Sequence, residues 1–148
     1  SFFDTVILKD ARIRSTERIA DPLLLEPITR LKMEGMLVIL GPDWILYETF
    51  RSKARQAALF KSGKSKKAIV GVHHYGLAFD IVRKGPSWKG DFSPVGEAAN
   101  ACGMVWGGDW KSLHDAPHCQ RIRIADQQKL FSNFWYPDEA YNAFARGQ

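Results

Sequence analysis

The sequence predicts a small α+β fold in a single domain spanning residues 1–148. Strand-like and helix-like segments are mixed without the regular strand–helix–strand order of a parallel α/β protein. Residues 77–82 show the alternation of a strand, and Ser52 is a good N-cap for a helix over residues 53–61 that ends at Gly63. With 45% hydrophobic residues, a chain of this length can bury one core without disulfide staples.

Capping and turn residues predict the remaining elements. A helical stretch opens at residues 21–22, an Asp-Pro pair, and Gly41-Pro42 is a good stop signal for it. Residues 36–40 are either the end of this helix or a separate strand, because periodicity does not distinguish the two. The predicted apolar face of the helix is Leu24, Ile28 and Leu31. The further predicted elements are a strand over 45–50, a helix from Ser93-Pro94 to Gly103, a strand over 118–124 and a helical stretch over 126–146 interrupted near Pro137.

The chain is basic, with a net charge of +5 and a pI of about 9.3. Such a protein is attracted to anionic polymers, including an anionic cell envelope. A nucleic-acid-binding protein is expected to have clustered basic residues interleaved with aromatic ones. In this sequence only the short run over residues 61–67 is dense in lysine. We therefore expect no nucleic-acid partner. The lysine run itself is either a solvated loop or a binding surface.

All four histidines lie in two short clusters, and each cluster also holds a carboxylate. The clusters are residues 73–80, with the sequence HHYGLAFD, and residues 114–118, with the sequence HDAPH. In the first cluster, strand alternation places Leu77, Phe79 and Ile81 on one apolar face, which predicts that they face the core. Asp80 then points to the other side, where a carboxylate among apolar neighbours needs a cation or a metal as partner.

Zinc suits these side chains, because imidazole nitrogen and carboxylate oxygen both bind it and catalytic sites use three protein ligands. His73, Asp80 and His118 are the predicted ligands. Asp115 precedes His118 by three residues, and the intervening Pro117 disfavours a helix and indicates a tight turn. Such a turn can place Asp115 beside the activated water, where it would act as the general base.

Four motifs, in this order, resemble peptidase family M15, the group of L-alanyl-D-glutamate endopeptidases and D-alanyl-D-alanine carboxypeptidases of bacterial and phage cell-wall metabolism. The motifs are Phe50-Arg51-Ser52-x-x-x-Gln56, His73-x-x-Gly76-x-Ala78-x-Asp80, Trp106-Gly107-Gly108-Asp109-Trp110 and Asp115-x-Pro117-His118. The resemblance covers about residues 24–120 and leaves 121–148 as a C-terminal extension. It implies a central antiparallel sheet flanked by helices. It also implies the same zinc ligands and base, and a role for Arg51 in binding substrate or stabilising the oxyanion.

The sequence departs from the family pattern at three positions. Gly71 stands where the family usually has serine, which puts one hydrogen bond to the substrate or to a ligand in doubt but not the metal. Cys119 and Gln120 follow the last histidine, where the family often has an aromatic or aliphatic residue and then an acid.

Other candidates have simpler interpretations. We expect His74 to be exposed or to support the site, and His114 to be a turn residue. Trp106 and Trp110 either pack in the core or form the wall of a groove, and we interpret Glu97, in the first turns of a helix, as structural.

The resemblance implies a monomeric zinc peptidase that cleaves peptidoglycan stem peptides as a phage-type endolysin does. The bond that we expect it to cleave is the one between L-Ala and D-Glu. The alternatives are a D-Ala-D-Ala carboxypeptidase and a non-catalytic, zinc-stabilised binding domain. No run approaches the roughly 18 apolar residues of an integral membrane segment, and the N-terminus lacks the pattern of a signal peptide. These features lead us to expect synthesis in the host cytoplasm and action on the cell wall or in the periplasm.

Overall fold

A computed structural model describes residues 1–69 and 71–144 of the chain. In this part the protein has five α-helices and a four-stranded antiparallel sheet, which confirms the α+β prediction. The helices are α1 (Phe2–Thr5), α2 (Pro27–Leu40), α3 (Lys53–Lys61), α4 (Ser93–Ala101) and α5 (Gln127–Phe131). The strands are β1 (Trp44–Glu48), β2 (Ala78–Arg83), β3 (Val105–Trp106) and β4 (His118–Gln120). None of the described helices has both the length and the apolar character needed to cross a membrane.

The order of strands in the sheet is β1-β2-β4-β3, so β2 lies between β1 and β4. Asp80 on β2 is opposite Glu48 on β1 and opposite His118 on β4. The pairing of β1 with β2 is irregular between Leu46 and Glu48. This register places three polar side chains in one row across the sheet.

Both sides of β2 are buried, which corrects part of the strand analysis. Phe79 and Ile81 pack against α2 and α4, as predicted. Leu77, however, precedes β2 and packs with Ala78 in a second apolar cluster, on the side of the C-terminal segment. The strict alternation fails at Leu77 because Gly76, with φ of 73°, turns the chain immediately before the strand.

Helix α2 is shorter at its N-terminus than the sequence indicated. The Glu26 carboxylate caps it by accepting from the backbone N–H groups of Ile28 and Thr29, and residues 22–24 form a separate 3₁₀ turn. The buried positions of the helix are Thr29, Met33 and Met36. The predicted apolar face is wrong at Leu31, which is 64% exposed, and Leu24 is buried as predicted but precedes the helix. The helix continues to Leu40, which excludes a strand over 36–40. The predicted α3 and the predicted ends of α4 are confirmed.

The C-terminal predictions are mostly wrong. Strand β4 ends at Gln120, because β3 and β2 offer it partners only this far. Among the described residues of the stretch predicted over 126–146, only Gln127–Phe131 is α-helical, and residues 145–148 lie outside the described residues. The extension is nevertheless packed onto the fold: Tyr136 donates a hydrogen bond to the Tyr75 carbonyl at 2.7 Å.

Candidate active site and metal centre

The structure brings together the three predicted metal ligands. His73 lies on a 3₁₀ turn over Val72–Tyr75, Asp80 on β2 and His118 at the start of β4. Asp80 Oδ1 is 3.3 Å from His73 Nε2 and 3.5 Å from His118 Nδ1. The three candidate ligand atoms lie within 4.8 Å of one another, and both histidines are buried.

Each imidazole is oriented by a partner on its far side. His73 Nδ1 is 2.8 Å from the carbonyl oxygen of Thr49, so Nδ1 carries the proton and Nε2 presents its lone pair. His118 Nε2 is 2.8 Å from Gln120 Oε1. The Gln120 amide is itself oriented, since its nitrogen donates to the Ile122 carbonyl at 2.7 Å and to Gln127 Oε1 at 2.9 Å. His118 therefore presents Nδ1 to the site.

These partners make the residues a good fit for a metal ion. Two imidazole lone pairs and the Asp80 carboxylate converge, and Asp80 Oδ1 is buried without a hydrogen-bond partner in the described structure. Two nitrogens and one carboxylate oxygen are a zinc-type donor set. A structural His–Asp hydrogen bond alone would not require two imidazoles with oriented far nitrogens. Ligating histidines commonly have such oxygen partners.

The charges at this point favour an ionised carboxylate. Burial opposes ionisation of Asp80, but the two imidazoles outweigh it and hold the pKa of Asp80 well below its usual value. Burial likewise lowers the pKa of His118, yet the carboxylates of Asp80 and Asp115 leave that pKa above its ordinary value. A proton and a metal ion thus compete for the same position, as is general for histidine ligands.

Asp115 lies beside this cluster but remains open to the cleft. Its Oδ2 is 3.9 Å from His118 Nδ1, and its side chain is 48% exposed. The turn predicted around Pro117 is present: His118 N–H donates to the Asp115 carbonyl at 3.1 Å. Burial of the carboxyl group raises the pKa of Asp115. The charge of His118 opposes this rise, and the negative charge of Asp80 adds to it.

The Trp-Gly-Gly-Asp-Trp motif supports the Asp115 turn. Gly107 accepts a hydrogen bond from the Asp115 N–H at 3.0 Å, and a Cβ on Gly107 would come within 2.4 Å of the Asp115 carbonyl oxygen. Trp106 packs against the core and donates from Nε1 to the Ala116 carbonyl at 2.6 Å. Trp110 packs against the second apolar cluster and also lines the cleft, with its ring centroid 5.2 Å from that of His118. Only Trp110 of the two therefore forms part of the cleft wall, a choice that the sequence left open.

Arg51 reaches the same site from the loop between β1 and α3. Its Nη2 is 3.0 Å from Glu48 Oε1 and 3.4 Å from Asp80 Oδ2, and Nη1 donates to Gln56 Oε1 at 3.2 Å. Glu48 is buried and also binds Arg55 at 3.1 Å. Arg51 Nε is buried and has no hydrogen-bond partner within the described residues. Sequence reasoning missed Glu48, for which no motif gave a signal.

A cleft of about 880 Å³ opens above these groups. Besides the residues already described, its lining includes both aromatic and basic side chains: Arg18, Tyr47, Lys64, Lys66, Lys67, Trp88 and His114. An opening of this size accommodates a short peptide rather than only an ion and water.

Comparisons with known proteins agree with the geometry. A family model described as D-alanyl-D-alanine carboxypeptidase matches residues 64–121, which include the three candidate ligands and Asp115. The chain is 33% identical to the Serratia marcescens L-Ala D-Glu endopeptidase ChiX, whose crystal structure it matches with a TM-score of 0.54 over 76% of this chain and 93% of that one. The chain belongs to peptidase family M15.

Two curated relatives of this M15 chain carry related names. The peptidoglycan L-alanyl-D-glutamate endopeptidase CwlK of Bacillus subtilis is 36% identical over 104 aligned residues, covering 55% of this chain and 62% of that protein. The L-alanyl-D-glutamate peptidase of Listeria phage A118 is 37% identical over 87 aligned residues, covering 54% and 31%. The chain therefore spans less than two thirds of the length of either relative.

The remaining candidate residues of this M15 chain lie outside the group of three candidate metal ligands. His74 is buried rather than exposed, among the rings of Phe3, Phe50 and Tyr75. His114 is exposed in the turn, as expected, and Glu97 is an exposed helix residue. The departure at Gln120 proves informative, because this amide occupies a position that orients His118.

Proposed function

We propose that this chain is a zinc-dependent peptidoglycan peptidase that cleaves stem peptides between L-Ala and D-Glu. One observation carries the proposal: His73 Nε2, His118 Nδ1 and Asp80 Oδ1 converge at the base of an open cleft, with Asp115 beside them. The names of the Serratia, Bacillus and Listeria phage relatives support the choice of bond.

His73, Asp80 and His118 would hold the zinc ion. Bound zinc would supply an activated water near neutral pH and polarise the carbonyl of the scissile bond. The two histidines are suited to holding it, because Thr49 and Gln120 orient their free ring nitrogens toward the site.

Asp115 would act as the general base. Its carboxylate is close to the cluster, at 3.9 Å from His118, but is not one of the three converging groups. Its partial exposure allows it to accept a proton from the attacking water and then to donate that proton to the leaving amine. A structural metal site has no need of such a group, so Asp115 favours hydrolysis over a binding domain.

Arg51 would bind the oxygen on which negative charge develops. Its guanidinium is fixed by Glu48 and Gln56, so it need not reorganise when the charge appears. Arg51 also lines the cleft, so a substrate oxygen can approach its guanidinium there.

A D-Ala-D-Ala carboxypeptidase is the second candidate, because the matching family model carries that description. The two differ in what they release. An endopeptidase of the proposed kind exposes C-terminal L-Ala and N-terminal D-Glu, and a phage-type lytic role further requires that the wall loses its integrity. A carboxypeptidase releases only free D-Ala.

Digestion of purified peptidoglycan, followed by mass spectrometry of the new termini, tests the proposal. We expect D-Glu N-termini, abolished by chelator and restored by zinc, and falling turbidity of outer-membrane-permeabilised Gram-negative cells. Free D-Ala without a fall in turbidity would support the carboxypeptidase instead. No released product would indicate a binding domain.

A further inference from the structure

The lysine-rich run of the sequence lies at the candidate active site. Residues 64–67, here called the lysine loop, begin three positions after the end of α3 at Lys61. Lys64, Lys66 and Lys67 are exposed and line the same cleft as His73 and Asp80. Lys61, in contrast, is exposed at the end of α3 but does not line the cleft. Three of the four lysines in the run therefore line the cleft, and Lys61 lies outside it.

The lysine loop is tied to the catalytic region by a buried amide. Gln56 Nε2 donates to Ser65 Oγ at 2.9 Å and to the Lys67 carbonyl at 2.8 Å. The oxygen of the same amide accepts from Arg51 Nη1 at 3.2 Å. Because Gln56 is 4% exposed, these bonds are shielded from water. The loop therefore has a defined position relative to the arginine that reaches the site.

The charges of the loop are available to a ligand. Arg51 and Arg55, also at the cleft, are paired with the Glu48 carboxylate. Among the residues that the structure describes, none of the three lysines makes an ion pair with a carboxylate of the protein. The cleft does hold carboxylates of its own, at Glu17 and Asp115, but neither lies within ion-pair distance of a lysine there. A cluster of three free cations in a cleft raises the local concentration of anionic ligands.

We propose that the lysine loop is a specificity element that binds free carboxylates of the stem peptide, such as the α-carboxylate of D-Glu. This rests on the proposed function. D-Glu joined to the next residue through its side-chain carboxyl retains a free α-carboxylate, and an acidic third residue adds another. Amidation removes this charge. The loop therefore selects carboxylate-bearing stem peptides over their amidated counterparts.

Paired soluble peptides test the proposal, one with D-Glu and one with D-isoglutamine at the second position and otherwise identical. We expect kcat/KM to be about three- to tenfold higher for the carboxylate peptide, the scale of one or two partly exposed ion pairs, with the difference shrinking in high salt. In a Lys66→Gln/Lys67→Gln protein, the ratio should approach one. The matched control Lys61→Gln/Lys84→Gln removes two exposed charges outside the cleft and should keep the wild-type ratio.

Binding measurements separate this proposal from the proposed function. Calorimetric titration of both peptides into Asp115→Asn protein reports carboxylate preference without hydrolysis. Equal affinity for the two peptides, or equal loss of preference in the control double variant, would overturn the lysine-loop proposal. Preferential binding without cleavage of either peptide by the wild type would contradict the enzyme and leave the loop assignment standing.

Discussion

The ring nitrogens His73 Nε2 and His118 Nδ1 lie only 3.2 Å apart, although the two residues are 45 positions apart in the chain. Each ring has its other nitrogen bound to an oxygen, of Thr49 or of Gln120. In the neutral rings both facing nitrogens are acceptors, so this approach is stable only with a proton or a cation between them. The Asp80 carboxylate is the third member of this candidate ligand set.

Zinc content is the first prediction. We expect about one zinc ion per chain, the stoichiometry of a mononuclear site, and loss of zinc from the Asp80→Ala and His118→Ala proteins. Elemental analysis of the purified variants measures this. His114→Ala removes an exposed histidine of the same turn and should retain the metal. Full zinc occupancy in His118→Ala would show that the ligand set is wrong.

Asp115→Asn is predicted to abolish most hydrolysis. The amide has nearly the same shape but cannot take up a proton at neutral pH, so we expect kcat to fall by roughly a hundredfold or more. The folded protein should keep its zinc. Asp43→Asn, at an exposed position before β1 and outside the cleft, is the control and should hydrolyse like the wild type. Near-normal activity in Asp115→Asn would remove the base assignment.

Arg51→Lys is predicted to lower kcat/KM by about ten- to a hundredfold, because lysine keeps the charge but lacks the planar set of donors. Arg55→Lys provides the comparison. Arg55 binds the same Glu48 carboxylate, but of the two arginines only Arg51 also reaches Asp80 in the described structure. Kinetics on a soluble stem peptide, with zinc content and Tm as checks on folding, distinguish the two. Equal effects of both substitutions would make Arg51 an ion-pair partner only.

Gln120→Leu is predicted to weaken zinc binding by about ten- to a hundredfold, the usual effect of removing a partner of a ligating histidine. Leucine has a similar size but leaves the His118 Nε2–H unpaired, so the ring and its tautomer lose their orientation. Competition with a chromogenic chelator measures the affinity without any assay of activity. Gln128→Ala, an exposed residue of α5, should bind zinc normally. Unchanged affinity in Gln120→Leu would contradict the orienting role.

Asp126→Asn tests the anchoring of the C-terminal extension. The buried Asp126 carboxylate accepts from Arg123 at 2.7 Å, from Tyr141 at 2.7 Å and pairs with Lys129 at 3.0 Å. Substitution should lower the free energy of unfolding by about 2 kcal/mol at pH 7, the scale of charged hydrogen bonds. Denaturant unfolding measures this, with Asp109→Asn as the surface control.

The pH dependence of this effect has a definite sign. Burial opposes ionisation of Asp126, but its hydrogen bonds with Arg123, Tyr141 and Lys129 lower its pKa to about 2, from about 3.9 in an unfolded chain. Its stabilisation is therefore complete above about pH 4 and is lost as the pH falls toward 2. The difference in unfolding free energy between wild type and Asp126→Asn should shrink over this range. A difference that is constant with pH would indicate a steric effect.

Local patterns in the sequence were enough to predict the candidate ligands, the helix after Ser52 and the turn before His118. Strand alternation and capping depend on residues within a few positions of one another, so they can be read without the fold. These local patterns failed where they were extended past the ends of the strands. Leu77 comes before the start of β2, and β4 stops at Gln120, where its pairing with β2 and β3 ends.

Only the tertiary structure decided which residues support the site. The bonds of Thr49 to His73, Arg51 to Asp80 and Gln56 to the lysine loop join residues 24, 29 and up to 11 positions apart. Such contacts depend on how the sheet pairs and where the loops return, and they leave no periodic signal in the chain. Composition revealed the lysines, but their function depends on facing the cleft, because a charge acts over only about 8 Å in physiological salt.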